Sequence, residues 1–168
     1  VKIFLTGFMG AGKTTIGRKL ACRLSYGFAD LDTYIESCEG KTIPEIFRQT
    51  GEDGFRTLEA QRLREFETTD NMVVATGGGA PCFKGNMDWM KAHGITVYLQ
   101  LKPQTLFGRL RVSKVPRPLI QGMSDAELLS FITSSLAQRE PFYRQSALII
   151  DGENLDSTTL LEAIRATR

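Results

Sequence analysis

Short apolar runs alternate along the chain with longer stretches whose apolar residues recur every three or four positions. Lys2–Thr6 (KIFLT), Met72–Thr76 (MVVAT), Ile95–Leu101 (ITVYLQL) and Ala147–Ile150 read as buried strands. A shorter apolar stretch ending at Asp30 reads as a further strand. Between them, Lys13–Ser25 carries Ile16, Leu20 and Leu24 at helical spacing, and Glu52–Thr68 is polar and helical. Thr42 with Pro44 marks a helix start, and Gly94 stops a helix over Asn86–His93. Pro103–Arg111 and Ser157–Thr167 read as helices, and Ser124-Asp125-Ala126-Glu127 as a capping box opening a helix towards Phe142. Val112–Gly122 has no period. Strands separated by helices predict a parallel sheet covered on both faces. With no repeat, low-complexity tract or linker, the pattern predicts one α/β domain of about five strands, whose order it does not show.

Composition adds exclusions. At 168 residues, 42% hydrophobic and 24% charged, the chain has ordinary globular usage. Twenty-one Lys and Arg against 19 Asp and Glu leave a net charge of +2, which argues against a histone-like nucleic-acid binder. No run approaches the roughly 20 apolar residues of a membrane span. The opening VKIFLTGFMG lacks the features of a signal peptide, and Val1 in place of Met suggests a trimmed terminus. Cys22, Cys38 and Cys82 have no metal or redox spacing, so free thiols in a reducing compartment, the cytoplasm, are expected.

The chemistry begins at Gly7–Thr14 (GFMGAGKT), which matches GxxxxGK[ST] after a strand and before a helix. Gly7, Gly10 and Gly12 let successive N–H groups turn inward on phosphate oxygens, and the following helix adds its positive end. Lys13 supplies a cation for the outer phosphates, and Thr14 a hydroxyl for Mg²⁺. The motif fixes triphosphate binding, not the reaction. The chain has no Asn-Lys-x-Asp base-reading signature of a GTPase. MVVAT runs into Gly77–Gly79 rather than the Asp that mechanical ATPases carry, which leaves transfer to a small molecule.

GFMGAGKTTIGRKLA, Asp30-Leu31-Asp32, Gly51–Glu59 (GEDGFRTLE), TGGGA, Arg117-Pro118-Leu119 and Arg139–Tyr143 (REPFY) follow one another over nearly the whole chain. The set resembles the shikimate kinase family. The resemblance implies a three-layer α/β/α P-loop fold of the nucleoside monophosphate kinase type, with a five-stranded parallel sheet in order 2-3-1-4-5. It also implies a substrate-binding segment over about 31–60 and a lid over about 112–123. The implied reaction moves the γ-phosphate of ATP to the 3-hydroxyl of shikimate, with Mg²⁺ as cofactor. A monomer without nucleic-acid or membrane partners is the family default.

Carried over residue by residue, the resemblance makes Lys13, Asp32 and Arg117 catalytic. It assigns Gly10, Ala11, Gly12, Lys13, Thr14, Thr15, Arg109 and Arg117 to the nucleotide, and Thr14 and Asp30 to the metal. Asp32, Arg56, Gly77, Gly78, Gly79 and Arg139 fall to the acceptor. Their chemistry fits: a guanidinium fork grips a carboxylate with two parallel hydrogen bonds, and Glu59 is placed to hold Arg56. Bland readings stand beside these. The Asp pair could merely cap a helix over Leu31–Glu39, Arg56 could form a surface pair with Glu59, and the 112–123 stretch could be an exposed basic loop. Ile43, Phe47 and Phe55 suit an apolar wall for a ring and suit core packing equally. Spacing leaves Arg109 and Arg111 as alternatives beside adenine. Trp89 and His93 are expected to be structural, and Cys82 a buried, inert thiol. A gluconate-type kinase and a catalytically silent nucleotide sensor are the rival classes.

Overall fold

The computed structural model describes residues 1–167. Its five strands are β1 (Lys2–Thr6), β2 (Gly27–Asp30), β3 (Met72–Ala75), β4 (Ile95–Gln100) and β5 (Leu148–Asp151). They form one sheet in the order β2-β3-β1-β4-β5, with every pairing parallel. The central strand β1 is buried along its whole length, the apolar Ile3–Leu5 between a buried Lys2 and a buried Thr6. Side chains alternate across the pleat, so Ile3 and Leu5 enter one core and Phe4 enters the other. The helices covering the first face include α1 (Lys13–Leu24), α5 (Pro103–Val112), α6 (Asp125–Tyr143) and α7 (Ser157–Arg165). The second is covered by α2 (Leu31–Glu39), α3 (Ile43–Arg64) and α4 (Asn86–His93). The expected three-layer α/β/α architecture and strand order are both present.

Local chemistry explains most boundaries. Asp30 caps α2 by accepting the Thr33 N–H at 3.2 Å. Thr42 and Glu45 complete a reciprocal capping box at α3, with Pro44 in its first turn. At α6 only half of the expected box is made: Ser124 accepts from the Glu127 N–H at 3.2 Å. The stretch expected to be helical through Thr68 tightens into a 3₁₀ turn over Glu65–Thr68, and α7 stops at Arg165, short of Thr167. Trp89 stacks on His93 with ring centroids 4.3 Å apart and meets Phe4 edge-on at 5.8 Å, a packing role for both. Among the described residues, no helix is long and apolar enough to cross a membrane.

Candidate active site

The loop between β1 and α1 turns through three glycines with positive φ: Gly7 at 140°, Gly10 at 80° and Gly12 at 90°. Side chains rarely adopt these angles, which accounts for the spelling of the motif. Gly12 occupies the N-cap of α1 and brings no side-chain cap, so the first amides of the helix remain open to an anion. Lys13 folds back over the loop, its Nζ donating to Gly7 O at 2.6 Å and Phe8 O at 2.8 Å. Burial lowers its pKa to about 8, with Asp32 opposing the shift and Arg117 adding to it.

A cleft of about 500 Å³ opens beside this loop. Gly10, Gly12, Lys13, Thr14, Thr15, Asp30, Asp32, Gly77, Gly78, Arg109 and Arg117 all line it. Ala11 lines an adjoining hollow of about 340 Å³, which shares Gly12, Thr15 and Arg109 with the first. That hollow is closed by Gly152, Leu155, Asp156 and Ser157, a turn after β5 that sequence reading did not single out. The only available signal was a glycine directly after the last strand, at the sheet edge where α/β ligands gather. Arg109 turns inward, with Nη1 at 3.4 Å from Gly10 O and 3.3 Å from Ala11 O. Arg111 is exposed and pairs with Asp125 at 3.5 Å, so the geometry puts Arg109 rather than Arg111 in the cleft.

Asp30 ends β2, and Asp32 lies in the first turn of α2. Thr14 Oγ1 donates to Asp30 Oδ2 at 2.6 Å, so Asp30 both caps α2 and meets the phosphate loop. Burial raises the pKa of Asp32, and the neighbouring Asp30 raises it further against the pull of Lys13 and Arg56. Arg117 reaches the cleft from the aperiodic segment before the 3₁₀ turn Pro118–Ile120. Its Nε is buried with no hydrogen-bond partner among the described residues, and desolvation lowers its pKa.

Gly77, Gly78 and Gly79 follow β3, and none of them has positive φ. Space is the reason for glycine here. A Cβ on Gly77 would lie 2.9 Å from Asp32 Oδ1, one on Gly78 3.2 Å from Arg139 Nη1, and one on Gly79 2.9 Å from Arg56 Cζ. The three glycines thus admit three charged side chains from α2, α6 and α3. The resemblance expects these glycines to face the acceptor; in this fold they also leave room for the protein's own charged side chains.

Arg56 and Arg139 do not line the 500 Å³ cleft itself: Arg139 stands at Gly78, which does, and Arg56 one residue further at Gly79, which does not. The surface reading of Arg56 fails: it is 9% exposed, Glu59 is 1% exposed, and they pair at 2.9 Å. Burial pushes the Glu59 carboxyl up to about 7, partly offset by Arg56. The Arg56 guanidinium sits 4.2 Å from the Phe83 ring centroid and 5.2 Å from that of Phe55, and its Nε has no hydrogen-bond partner among the described residues. Phe83 carried no signal in the sequence, because a lone aromatic after a glycine run has no period. Phe55 is buried in the core and packs at 4.6 Å on the half-buried Phe47, so packing explains these two. Cys82 is half-buried rather than buried, yet desolvation raises its pKa to about 11, which keeps the thiol inert near neutral pH. A separate cavity of about 410 Å³ between Gln100, Glu140 and Asp151 takes Glu140 from the REPFY stretch but none of the expected site residues.

Sheet order and phosphate loop together place the molecule among the P-loop kinases. A family model described as shikimate kinase matches residues 9–167, and the chain belongs to that family. A curated shikimate kinase of Bacteroides thetaiotaomicron is 48% identical over 163 residues, covering 97% of this chain and 93% of that protein. A solved shikimate kinase structure from Bacteroides thetaiotaomicron superposes with a TM-score of 0.94 at 45% identity, covering 99% of this chain and 97% of that one. The shikimate kinase of Acinetobacter baumannii, solved in complex with shikimate, gives a TM-score of 0.84 at 38% identity, covering 99% of this chain and 91% of its own.

Proposed function

We propose that this kinase transfers the γ-phosphate of ATP to the 3-hydroxyl of shikimate, giving shikimate 3-phosphate and ADP on the route to chorismate and the aromatic amino acids. One observation carries the reading: Asp32, Arg56 and Arg139 converge on three successive glycines beside an intact phosphate loop. Two guanidinium groups suit one carboxylate, and a carboxylate with a raised pKa suits a hydroxyl that must lose its proton. The family membership and the shikimate-bound relative support the choice of acid.

In the mechanism, the amides of Gly10–Thr14 and the start of α1 hold the phosphates, while Lys13 leaves its carbonyl partners for the outer phosphate oxygens. Arg109 and the Gly152–Ser157 turn flank the hollow left for the nucleoside. Arg56 and Arg139 fix the acid by its carboxylate, Gly77–Gly79 bound the ring, and Asp32 accepts the proton of the attacking hydroxyl. The oxygen–phosphorus bond forms as the bond to the β-phosphate oxygen breaks, and ADP leaves with the electron pair. Arg117 meets the charge that grows between the β- and γ-phosphates, and the 112–123 lid excludes water. The 31–60 segment carries much of the acid site.

Mg²⁺ fits the residues present. Thr14 and Asp30 offer a hydroxyl and a carboxylate in contact at 2.6 Å. Among the described residues no group of three or more His, Cys, Asp or Glu could hold a metal alone. That combination suits a hard ion arriving with ATP, which keeps phosphate and water oxygens around it. Thr14 and Asp30 would hold it; when bound, it neutralises phosphate charge. The reading includes a cytoplasmic monomer without nucleic-acid or membrane partners, the free cysteines being suited to a reducing compartment.

The test is ADP release coupled to a reporter, with shikimate and gluconate as separate acceptors. Shikimate should stimulate ADP release far above background hydrolysis. Stimulation by gluconate alone would move the protein to the other small-acid kinases, and stimulation by neither would leave a nucleotide sensor.

A further inference from the structure

Tyr143 ends α6 one helical turn after Arg139 and is wholly buried. Its hydroxyl donates to the carbonyl oxygen of Gly78, from 65 positions away in the chain. Burial raises the pKa of the phenol, which keeps it a donor at any working pH. The end of α6 is itself tied down. Tyr143 packs on Tyr98 with centroids 5.1 Å apart. Tyr98 Oη and Gln100 Nε2, both from β4, donate to Glu140 Oε1 at 3.3 and 3.2 Å. Arg144 pairs with the same carboxylate at 3.1 Å.

A trans peptide points its C=O and its N–H in opposite directions, and the Gly78–Gly79 bond is trans. Fixing the carbonyl of Gly78 therefore fixes the direction of the Gly79 N–H. Among the described residues that N–H donates no backbone hydrogen bond, whereas Ala80 and Cys82 just beyond donate to Gly77 O and Gly79 O. Room around the peptide is small: a Cβ on Gly78 would meet Arg139 Nη1 at 3.2 Å and Met9 N at 3.4 Å. A free peptide flip would exchange the directions of the Gly78 carbonyl and the Gly79 amide. On the amide side, such a flip would replace attraction by repulsion for an anion.

We infer that Tyr143 is a positioning residue for the acceptor: its hydroxyl locks the Gly78–Gly79 peptide so that the Gly79 amide faces the acid beside Arg139. The inference rests on the proposed shikimate reading and adds a residue that never touches substrate. It also explains why one helix carries both groups, since Arg139 and Tyr143 then move together and keep amide and guanidinium in register.

Tyr143→Phe removes the hydroxyl, and with it the bond to Gly78 O and the hydrogen bond with Arg139, and leaves the buried ring. Steady-state kinetics, with each substrate varied separately, should show KM for shikimate raised about tenfold, the worth of one buried hydrogen bond. KM for ATP should stay within about twofold of wild type, so that kcat/KM falls through the acid side alone. A purely structural role would lower thermal stability and the active fraction without that split. Unchanged KM for shikimate, or equal rises in both KM values, would overturn the inference. A measurement on the wild type covers a variant that fails to fold: shikimate added without nucleotide should shift the Gly79 amide proton in ¹⁵N-resolved NMR, and an unmoved resonance would overturn it too. A wild type that turns over ATP with no response to shikimate overturns the substrate reading and this inference together; a shikimate-active wild type with a silent Tyr143→Phe variant overturns the inference alone.

Discussion

Lys13 carries a conflict between its charge and its surroundings. Two carbonyl oxygens accept from its ammonium at 2.6 and 2.8 Å, but burial still draws the pKa down to about 8. A triphosphate beside it favours the charged form and raises the pKa again. The sign follows. Well below pH 8 the lysine is charged with or without nucleotide, and no proton moves. Near pH 8 about half of the free protein holds it neutral, so binding takes up about 0.5 proton. Titration calorimetry with Mg²⁺ and a non-hydrolysable ATP analogue, in buffers of different ionisation enthalpy, should show this uptake at pH 8 and almost none at pH 6.5. Lys13→Met should remove the difference between the two pH values; an uptake independent of pH would mean that Lys13 is not the titrating group. This site was legible residue by residue because its chemistry is written in a local motif. The burial of Arg56 and Glu59, and the Phe83 ring beside them, was not, since those contacts join segments that no local pattern connects.

At the scale of the element, α3 is two helical pieces joined at Gly51, the one residue inside Ile43–Arg64 with non-helical angles (φ 69°, ψ −178°). That region is open essentially to glycine alone. A Cβ there would meet nothing within 4 Å, so the cost of a side chain is conformational rather than steric. Gly51→Ala should cost about 1–3 kcal/mol, or roughly 2–12 °C in Tm for a domain of this size. The piece after the break carries Phe55, Arg56 and Glu59, so KM for shikimate should rise while KM for ATP holds. An unchanged Tm, read by differential scanning calorimetry, would show that the helix straightens without penalty. The sequence pattern did separate the two pieces, a capped start at Thr42 and a second stretch from Glu52, because capping and glycine breaks are local signals. Element ends were less legible. Glu65 is held at 2.6 Å by Tyr34 of α2, a contact across packed elements, and at 2.6 Å by Arg62 one turn earlier, and the first of these no local pattern shows.

Across the whole molecule, the sheet order makes the site. β2, β3 and β1 are neighbours, so Asp32, Gly77–Gly79 and the phosphate loop emerge side by side at their carboxyl ends. Strand adjacency is set by long-range pairing and crossover handedness, which apolar runs do not encode; here the order was expected from the motif set and not from periodicity. On the proposed reading the two ligands are neighbours with separate grips, and this can be measured on the folded protein without turnover. A ligand at 100 times its Kd stabilises by about 2.7 kcal/mol, or about 5–11 °C in Tm at this size. Shikimate alone and a non-hydrolysable ATP analogue with Mg²⁺ should each raise Tm on that scale. In Arg139→Ala the shikimate shift should collapse while the nucleotide shift survives, because the lost guanidinium stands at Gly78 and not against the amides of Gly10–Thr14. Comparing shifts rather than absolute Tm values removes whatever the substitution costs the unliganded fold. Loss of the nucleotide shift alone would move Arg139 to the triphosphate, and equal loss of both would mean that the two grips are one.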